Sequence, residues 1–532
     1  RAPSAAPCQA AGELPWSAPQ APGQRTVALL GADGPAKDAA RSLLLGEHAA
    51  PAPDPGGAEA ANRVWCACGE RPLTLLEAPG HVDFLTLADI SLRVCTSALL
   101  VMSLASGGSG RAGGRGLEEV ELAAHWVRSV ERAGRPLGVA LCQPAGAGAG
   151  AEVQDVAAAF DEALAALRGL GLRPVVLGAS APGRGEDTAA AGRRLSGSAG
   201  TGHSDIRALA AASRERRAVP VVFVPSCGAA AARGGPLLDL VHGVLPGVGD
   251  DVGGRPAGLW EGLDRRSGAF RRVLPDPGGP VAGVAVQTTY LEHGRAKAHD
   301  VLIVRGTLRA GQPLLNATTG NHTLRTHRLL CGGGCGAPGG ARAEAGPGEV
   351  VRIVEPAAGA PPGSGGSLCW WCDVASPIHL PVLPEQAYMS MVDRQCTHAL
   401  RLEGAPAPKQ AQLLGALARS VEEDQSLKLE WTQGDEVCLT ASGSEHLRRL
   451  RRRLRANWGI SLPLRPCSIA YRATARSAIE LRVAVGSAGG RLRATVRVTP
   501  LTPGGGVQAA VRDSAARALA GRGALEAFAR GV

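Results

Sequence analysis

Leu75-Leu76-Glu77-Ala78-Pro79-Gly80-His81-Val82-Asp83-Phe84 decides how the rest of the chain is read. It follows directly on Leu73-Thr74, so an apolar run, read as the strand Leu73–Leu76, ends in an acid, a Pro-Gly turn and a histidine. An acid at a strand end can hold a metal-bound water. A Pro-Gly turn lets a backbone N–H approach a phosphate, and the next histidine can orient an attacking water. A satisfied turn histidine with no catalytic task is the competing reading of His81.

Upstream and downstream, strands and helices alternate. Thr26–Leu30, Ser97–Leu104, Leu137–Leu141 and Val219–Val224 read as buried strands, with helices from Lys37 to Gly46, Leu117 to Ala133 and Val153 to Leu170 between them. In the last helix Val153, Val156, Phe160, Leu164 and Leu167 fall on one stripe. Alternation of this kind predicts βαβ units and a parallel sheet covered on both faces. Gly-rich inserts interrupt it at Ser106–Gly116, Ala145–Gly150 and Gly183–Gly202. After Gly247–Pro256 the character changes. Val281–Tyr290, Asp300–Val304 and Glu349–Val354 read as strands separated by turn residues, predicting a small antiparallel barrel. Past Leu383 comes an α+β stretch: helix Lys409–Val421, strands Leu427–Trp431 and Val437–Thr440, and helix Ser444–Ala456; the tail from Pro466 adds two strands and a helix near Val507–Leu519.

The chain has 532 residues, enough for several cores, and no apolar run long enough to span a membrane as a helix. With five Phe, eight Trp and three Tyr, its cores must be built from Ala, Val and Leu. Net charge is +10, and the cations are almost all Arg; Lys stands only at 37, 297, 409 and 428. A basic balance favours acidic partners such as nucleic acid, although a GC-rich coding bias produces the same arginines. Thirteen cysteines, an odd number, speak for a reducing compartment rather than a disulfide framework. Cys331 with Cys335 and Cys369 with Cys372 could together hold zinc, or be a chance of composition.

The run from Leu75 to Phe84 resembles the switch II of translational GTPases, and Ser91-Leu92-Arg93-Val94 with Ala98-Leu99-Leu100-Val101 resembles the elongation factor G / elongation factor 2 branch. The resemblance implies an α/β P-loop NTPase-type G domain, then a β-barrel and two α+β domains. It also implies a phosphate loop, matched by Gly31-Ala32-Asp33-Gly34-Pro35-Ala36-Lys37-Asp38 against G-x-x-x-x-G-K-[ST]. There Ala36 replaces the second glycine and Asp38 the metal-binding hydroxyl. Between Ser42 and Thr74 stands no Ser or Thr to serve as the switch I ligand. Where N-K-x-D would read guanine stands Cys142-Gln143-Pro144-Ala145, and of S-A-K only Ser226 survives in Ser226-Cys227-Gly228.

Later segments are similar to the family in the right order. Val284–Val286, His293–Arg295 and Arg305–Gly311 resemble a translation-factor barrel, and Ser367–Cys369 with Ser376–Leu380 its exit. Glu422-Glu423-Asp424-Gln425-Ser426 and Gly443-Ser444-Glu445-His446-Leu447 resemble the third domain, although the usual G-x-G-E-L-H-L has lost its first Gly and its Glu. Tyr471–Thr474 resembles the start of a fourth domain. The expected organisation is a disordered or transit-like tail at 1–24, a G domain at 25–247, a barrel at 278–385, an α+β domain at 390–465 and a shortened fourth-domain-like segment at 466–532.

By the resemblance, Gly31, Asp33, Gly34, Lys37, Asp38, Glu77, Pro79, Gly80 and Ser226 would bind GTP, Asp38 and Glu77 would hold Mg2+, and His81 would be catalytic. The partners implied are the ribosome, with tRNA and mRNA indirectly, in the cytoplasm or an organellar matrix, for a monomer off the membrane. The functions that follow are a GTPase assisting translocation, a ribosome-binding scaffold that has lost the cycle, or a ribosome recycling or maturation factor of the same family. The helix from Ser444 carries Leu447, Leu450 and Leu454 on one stripe, with Arg448, Arg449, Arg451, Arg452, Arg453 and Arg455 around it. It suits RNA phosphates or is a solvated face.

Overall fold

The structure is a computed structural model describing segments within residues 24–46, 63–67, 72–104, 115–143, 153–177, 203–225, 235–374, 398–466 and 479–498. Its first sheet has seven strands: β1 (Arg25–Leu30), β2 (Arg63–Ala67), β3 (Leu73–Glu77), β4 (Ser97–Ser103), β5 (Leu137–Cys142), β6 (Pro174–Val176) and β7 (Val219–Val224). Their order is β2-β3-β1-β4-β5-β7-β6, all parallel except the antiparallel edge strand β2. Because side chains alternate along a strand, β1 sends Ala28 and Leu30 into one core and Val27 and Leu29 into the other.

Helices α1 (Pro35–Leu45), α2 (Leu85–Val94), α3 (Arg115–Ala133), α4 (Val153–Gly169), α5 (His203–Arg214) and α6 (Gly235–Asp239) accompany this sheet. The expected stripe of α4 is buried at Val156, Phe160, Leu164 and Leu167. Leu30, Leu76 and Leu100 share their core with α2, α3 and α4 and also with Val284 and Trp370 from the next domain, so apolar packing runs across that junction. The strands predicted for this sheet lie where expected to within a residue or two; β2, β6, α2 and α5 go beyond what the apolar pattern predicts.

Two short hairpins follow, β8–β9 (Asp251–Val252, Arg255–Pro256) and β10–β11 (Trp260–Leu263, Phe270–Val273). Then β12 (Ala282–Leu291) and β13 (Ala296–Arg305) form the centre of an eight-stranded antiparallel half-barrel. It includes β15 (Pro313–Asn316), β16 (Thr323–Arg325), β17 (Leu329–Cys331), β18 (Ala341–Arg342), β20 (Val350–Pro356) and β21 (Trp370–Asp373), while β14 (Leu308–Arg309) pairs with β19 (Glu344–Ala345). Its core is Val301, Ile303, Leu314, Val351, Ile353 and Trp371 among others.

A third sheet, β23-β24-β22-β25, joins β22 (His398–Leu402), β23 (Lys428–Trp431), β24 (Val437–Ala441) and β25 (Leu464–Pro466) to helices α7 (Ala407–Glu423) and α8 (Ser444–Trp458). As the periodicity predicts, Leu447, Leu450 and Leu454 of α8 are buried, against Leu417 and Leu439. All of this belongs to a unit spanning Arg1–Ser468. A second unit, Ile469–Val532, contributes one antiparallel hairpin among the described residues, β26 (Ile479–Ser487) with β27 (Gly490–Val498). The expected helix near Val507–Leu519 and the tail before residue 24 lie outside the described residues, as do Tyr471–Thr474 and Ser376–Leu380. Among the described residues no helix is long and apolar enough to cross a membrane.

Candidate functional site

The site lies where β1 and β3, adjacent and parallel, end together. Gly31 leaves β1 with a positive φ of 137°, and a Cβ there would collide with the Val101 carbonyl, so only glycine turns the chain at this point. The loop reaches Gly34, and α1 begins at Pro35, whose fixed φ suits a first helical position. One turn in, Lys37 drops its side chain beneath the loop, with 1% of it exposed.

An ammonium has three N–H donors, and here each has an acceptor. Lys37 Nζ donates to Gly31 O at 3.3 Å, to Asp33 Oδ1 at 3.2 Å, and to Ala78 O at close range. Asp33 Oδ1 also accepts the Gly80 N–H at 2.8 Å. Gly80 packs directly on the loop. A Cβ there would strike the Asp33 amide and come within 2.6 Å of the Ala32 carbonyl carbon.

The acids at Asp38 and Glu77 meet a cation from the chain itself. Arg41, one turn beyond Lys37 on α1, donates from Nη1 to Glu77 Oε2 at 3.0 Å and Oε1 at 3.2 Å. Its Nη2 lies 2.7 Å from Asp38 Oδ1. Trp65 on the edge strand β2 gives its indole N–H to Glu77 Oε2 at 2.8 Å, and its ring lies 4.9 Å from the Arg41 guanidinium carbon. Glu77 is buried, so this bidentate pair is the compensation its charge requires.

His81 stands apart. Its ring is half exposed, accepts the Asp83 N–H at Nδ1 (3.2 Å), and sits edge-on to Phe84. Pro79 shapes the turn that carries Gly80, and Gly34 is the N-cap of α1 with no side-chain bond. Cys142 is buried at the end of β5, its thiol pushed up to about 12 by burial; Pro144, Ala145 and Ser226 lie outside the described residues.

Magnesium and GTP, implied by the sequence resemblance, do not fit this arrangement. The guanidinium of Arg41 pairs with both carboxylates expected to take the metal, and Asp33 already engages the Lys37 ammonium and the Gly80 N–H that a phosphate would need. Zinc finds no support either. Cys369 and Cys372 are buried thiols raised by burial, Cys372 to about 11. Cys331 on β17 is separated from β21 by β20, β13 and β12, and Cys335 lies outside the described residues. Among the described residues no group of three or more His, Cys, Asp or Glu is placed to hold a metal.

The missed residues come from far along the chain. Arg449 of α8 reaches Asp33 Oδ2 at 3.3 Å, and its guanidinium lies 4.4 Å over Phe84. Arg449 and Arg453 therefore face inward, a correction to a cationic face of six arginines; Arg448, Arg451, Arg452 and Arg455 remain exposed. Arg41 alone carried a local signal, the i,i+3 spacing from Asp38.

Fold and site together define a class: a mostly parallel α/β domain followed by antiparallel and α+β domains, with a charge-filled loop at the strand ends. No known protein family matches the sequence, and no curated protein does. The fold is similar to that of a crystallised protein of Thermus thermophilus, with TM-score 0.55 and 19% identity over 89% of this chain and 72% of that one. At that identity the likeness is one of fold.

Proposed function

We propose that this protein is a translation-factor-shaped scaffold of the elongation factor G / elongation factor 2 type that docks on the ribosome, in the cytoplasm or an organelle, without running a GTP cycle. The observation that carries this reading is Arg41, whose guanidinium joins Asp38 and Glu77 where a magnesium site would need both carboxylates. The order of the domains supports the family, and the four exposed arginines of α8 give it a surface for RNA phosphates.

An active GTPase is the second reading, favoured by the intact Pro79-Gly80-His81 turn. Titration with a fluorescent GTP analogue and magnesium separates the two, with ATP and GDP as competitors and ribosome co-sedimentation alongside. The scaffold reading expects co-sedimentation with no GTP-displaceable signal. Displacement by GTP and GDP but not by ATP overturns it in favour of the enzyme.

A further inference from the structure

A carboxylate lodged between a buried ammonium, a backbone N–H and a guanidinium is held as a bound oxyanion is held. Asp33 has these three partners: Lys37 from α1, the Gly80 N–H from the turn after β3, and Arg449 from α8, 416 residues away in sequence. We propose that these three groups form one oxyanion site shared between the first and third domains, and that Asp33 is its built-in ligand. The carboxylate stands where a phosphate group would, so α8 is joined to the loop by a residue of the chain and not by a nucleotide. This rests on the scaffold reading only in that the loop keeps Asp33 in place while the protein works.

Independent contacts at the same junction point the same way. The first turn of α8 has no side-chain cap of its own, since its N-cap is Gly443. Asp83 supplies the cap from the first domain, accepting the Glu445 N–H at 2.9 Å. A Cβ at position 443 would collide with the Asp83 carboxylate, so glycine makes room for a cap from another domain. Phe84 meets two residues of α8, the Arg449 guanidinium over its ring and the His446 ring with centroids 5.3 Å apart. Two acids of the first domain, Asp33 and Asp83, thus serve successive turns of one helix. Burial raises the Asp33 carboxyl, but the Lys37 charge, the Gly80 N–H and Arg449 outweigh it and hold the group below its ordinary value. The Asp33 side chain is also 46% exposed, so its place is open to a ligand from solution once the carboxylate is removed.

The test uses the full chain with Asp33→Ala, followed by thermal unfolding while inorganic phosphate is titrated against chloride at equal ionic strength. The expected result has three parts. Asp33→Ala melts below the wild type, phosphate restores its melting temperature saturably, and the wild type responds no more to phosphate than to chloride. Adding Arg449→Ala should then weaken phosphate binding about tenfold, the loss of one charge-assisted contact. Equal responses from wild type and Asp33→Ala overturn the proposal, as does no response from a variant with a native near-UV spectrum. A response indifferent to Arg449 removes the shared site. Should Asp33→Ala not fold, Asp33→Ser vacates the same place with a smaller uncharged side chain, and the same phosphate rescue is required of it. Failure of the scaffold reading shows separately, as magnesium-dependent GTP binding by the wild type, and the phosphate response of Asp33→Ala decides the present proposal in either case.

Discussion

Among the described residues Lys37 and Lys297 of this arginine-rich chain are almost wholly buried, and they are buried in different ways. Lys297 on β13, with none of its side chain exposed, meets Glu422 at 2.9 Å across the seam between half-barrel and third domain. The Tyr290 hydroxyl donates to the same carboxylate at 2.6 Å. Burial first, then that bond, push the phenol well above its ordinary value. Next along α7, Glu423 accepts the Tyr290 N–H at 2.7 Å and pairs with Arg453 at 2.7 Å. These partners come from strands and helices, and most of the carboxylate surface is out of reach of water. Lys37 instead bonds two backbone carbonyls and a half-exposed carboxylate on a loop, while the buried Glu77 carboxylate, held by Arg41, stands off at 4.0 Å. A buried cation whose counter-charge sits on regular elements is a structural pair. One whose counter-charge hangs on a loop open to solvent is a binding site with its ligand supplied.

The largest effect should come from breaking the seam. Lys297→Ala takes a fully buried ammonium away from the largely buried Glu422, which keeps the Tyr290 hydroxyl, and removing one member of a buried pair costs about 3–5 kcal/mol. The urea midpoint should fall accordingly with an unchanged slope. Lys37→Ala should cost clearly less, because Asp33 can turn to water and Glu77 keeps Arg41 and Trp65. Equal losses in the two variants would break the distinction between pair and site.

Next in size is an effect of acid. Asp424, at the end of the same seam, is buried; burial raises its carboxyl, but His446 at 2.8 Å and the Ser426 hydroxyl bring it down to about 2. A folded-state value below the unfolded one adds stability that is complete above the ordinary carboxylate range and is lost as pH falls towards 2. Asp424→Asn removes this dependence. Its unfolding free energy should therefore fall less steeply than the wild type's between pH 4 and 2. Parallel curves from near-UV circular dichroism would mean that His446 and Asp424 are not coupled in solution.

What was legible in the sequence follows the same division. Apolar runs declared β1, β3, β4, β5 and β7, and helical spacing declared the buried faces of α4 and α8, because burial acts on every residue of such a stretch. The loop and the turn were legible as a unit too: Gly31, Asp33, Lys37, Glu77 and Gly80 do converge. Their occupants were not. β2 is five residues among Gly, Ala and Pro, so Trp65 gave no sign that it would reach Glu77. Arg41 is one arginine among dozens, and a composition so rich in Arg hides the one that matters. Asp33 and Arg449 are joined only by tertiary folding, which no local pattern encodes.

His81 should show the smallest effect, and for that reason it sharpens the comparison most. Its ring is 48% exposed and is held by its own turn through the Asp83 N–H, with Phe84 at its edge. A half-exposed side chain with one local hydrogen bond changes stability by about 0.5 kcal/mol or less when truncated. His81→Ala should therefore unfold with the wild type and leave its ribosome co-sedimentation unchanged. A general base must come within hydrogen-bond reach of the proton it takes, and the contacts of this ring are with Asp83 and Phe84 of its own turn. The variant thus asks whether the turn is architecture or chemistry. If the wild type turns over GTP and His81→Ala slows it tenfold or more, the ring swings into a reaction and Asp33 is displaced when it does. If neither protein turns over GTP, the Pro-Gly-His turn persists because Gly80 must hold the loop, and the histidine is its exposed neighbour.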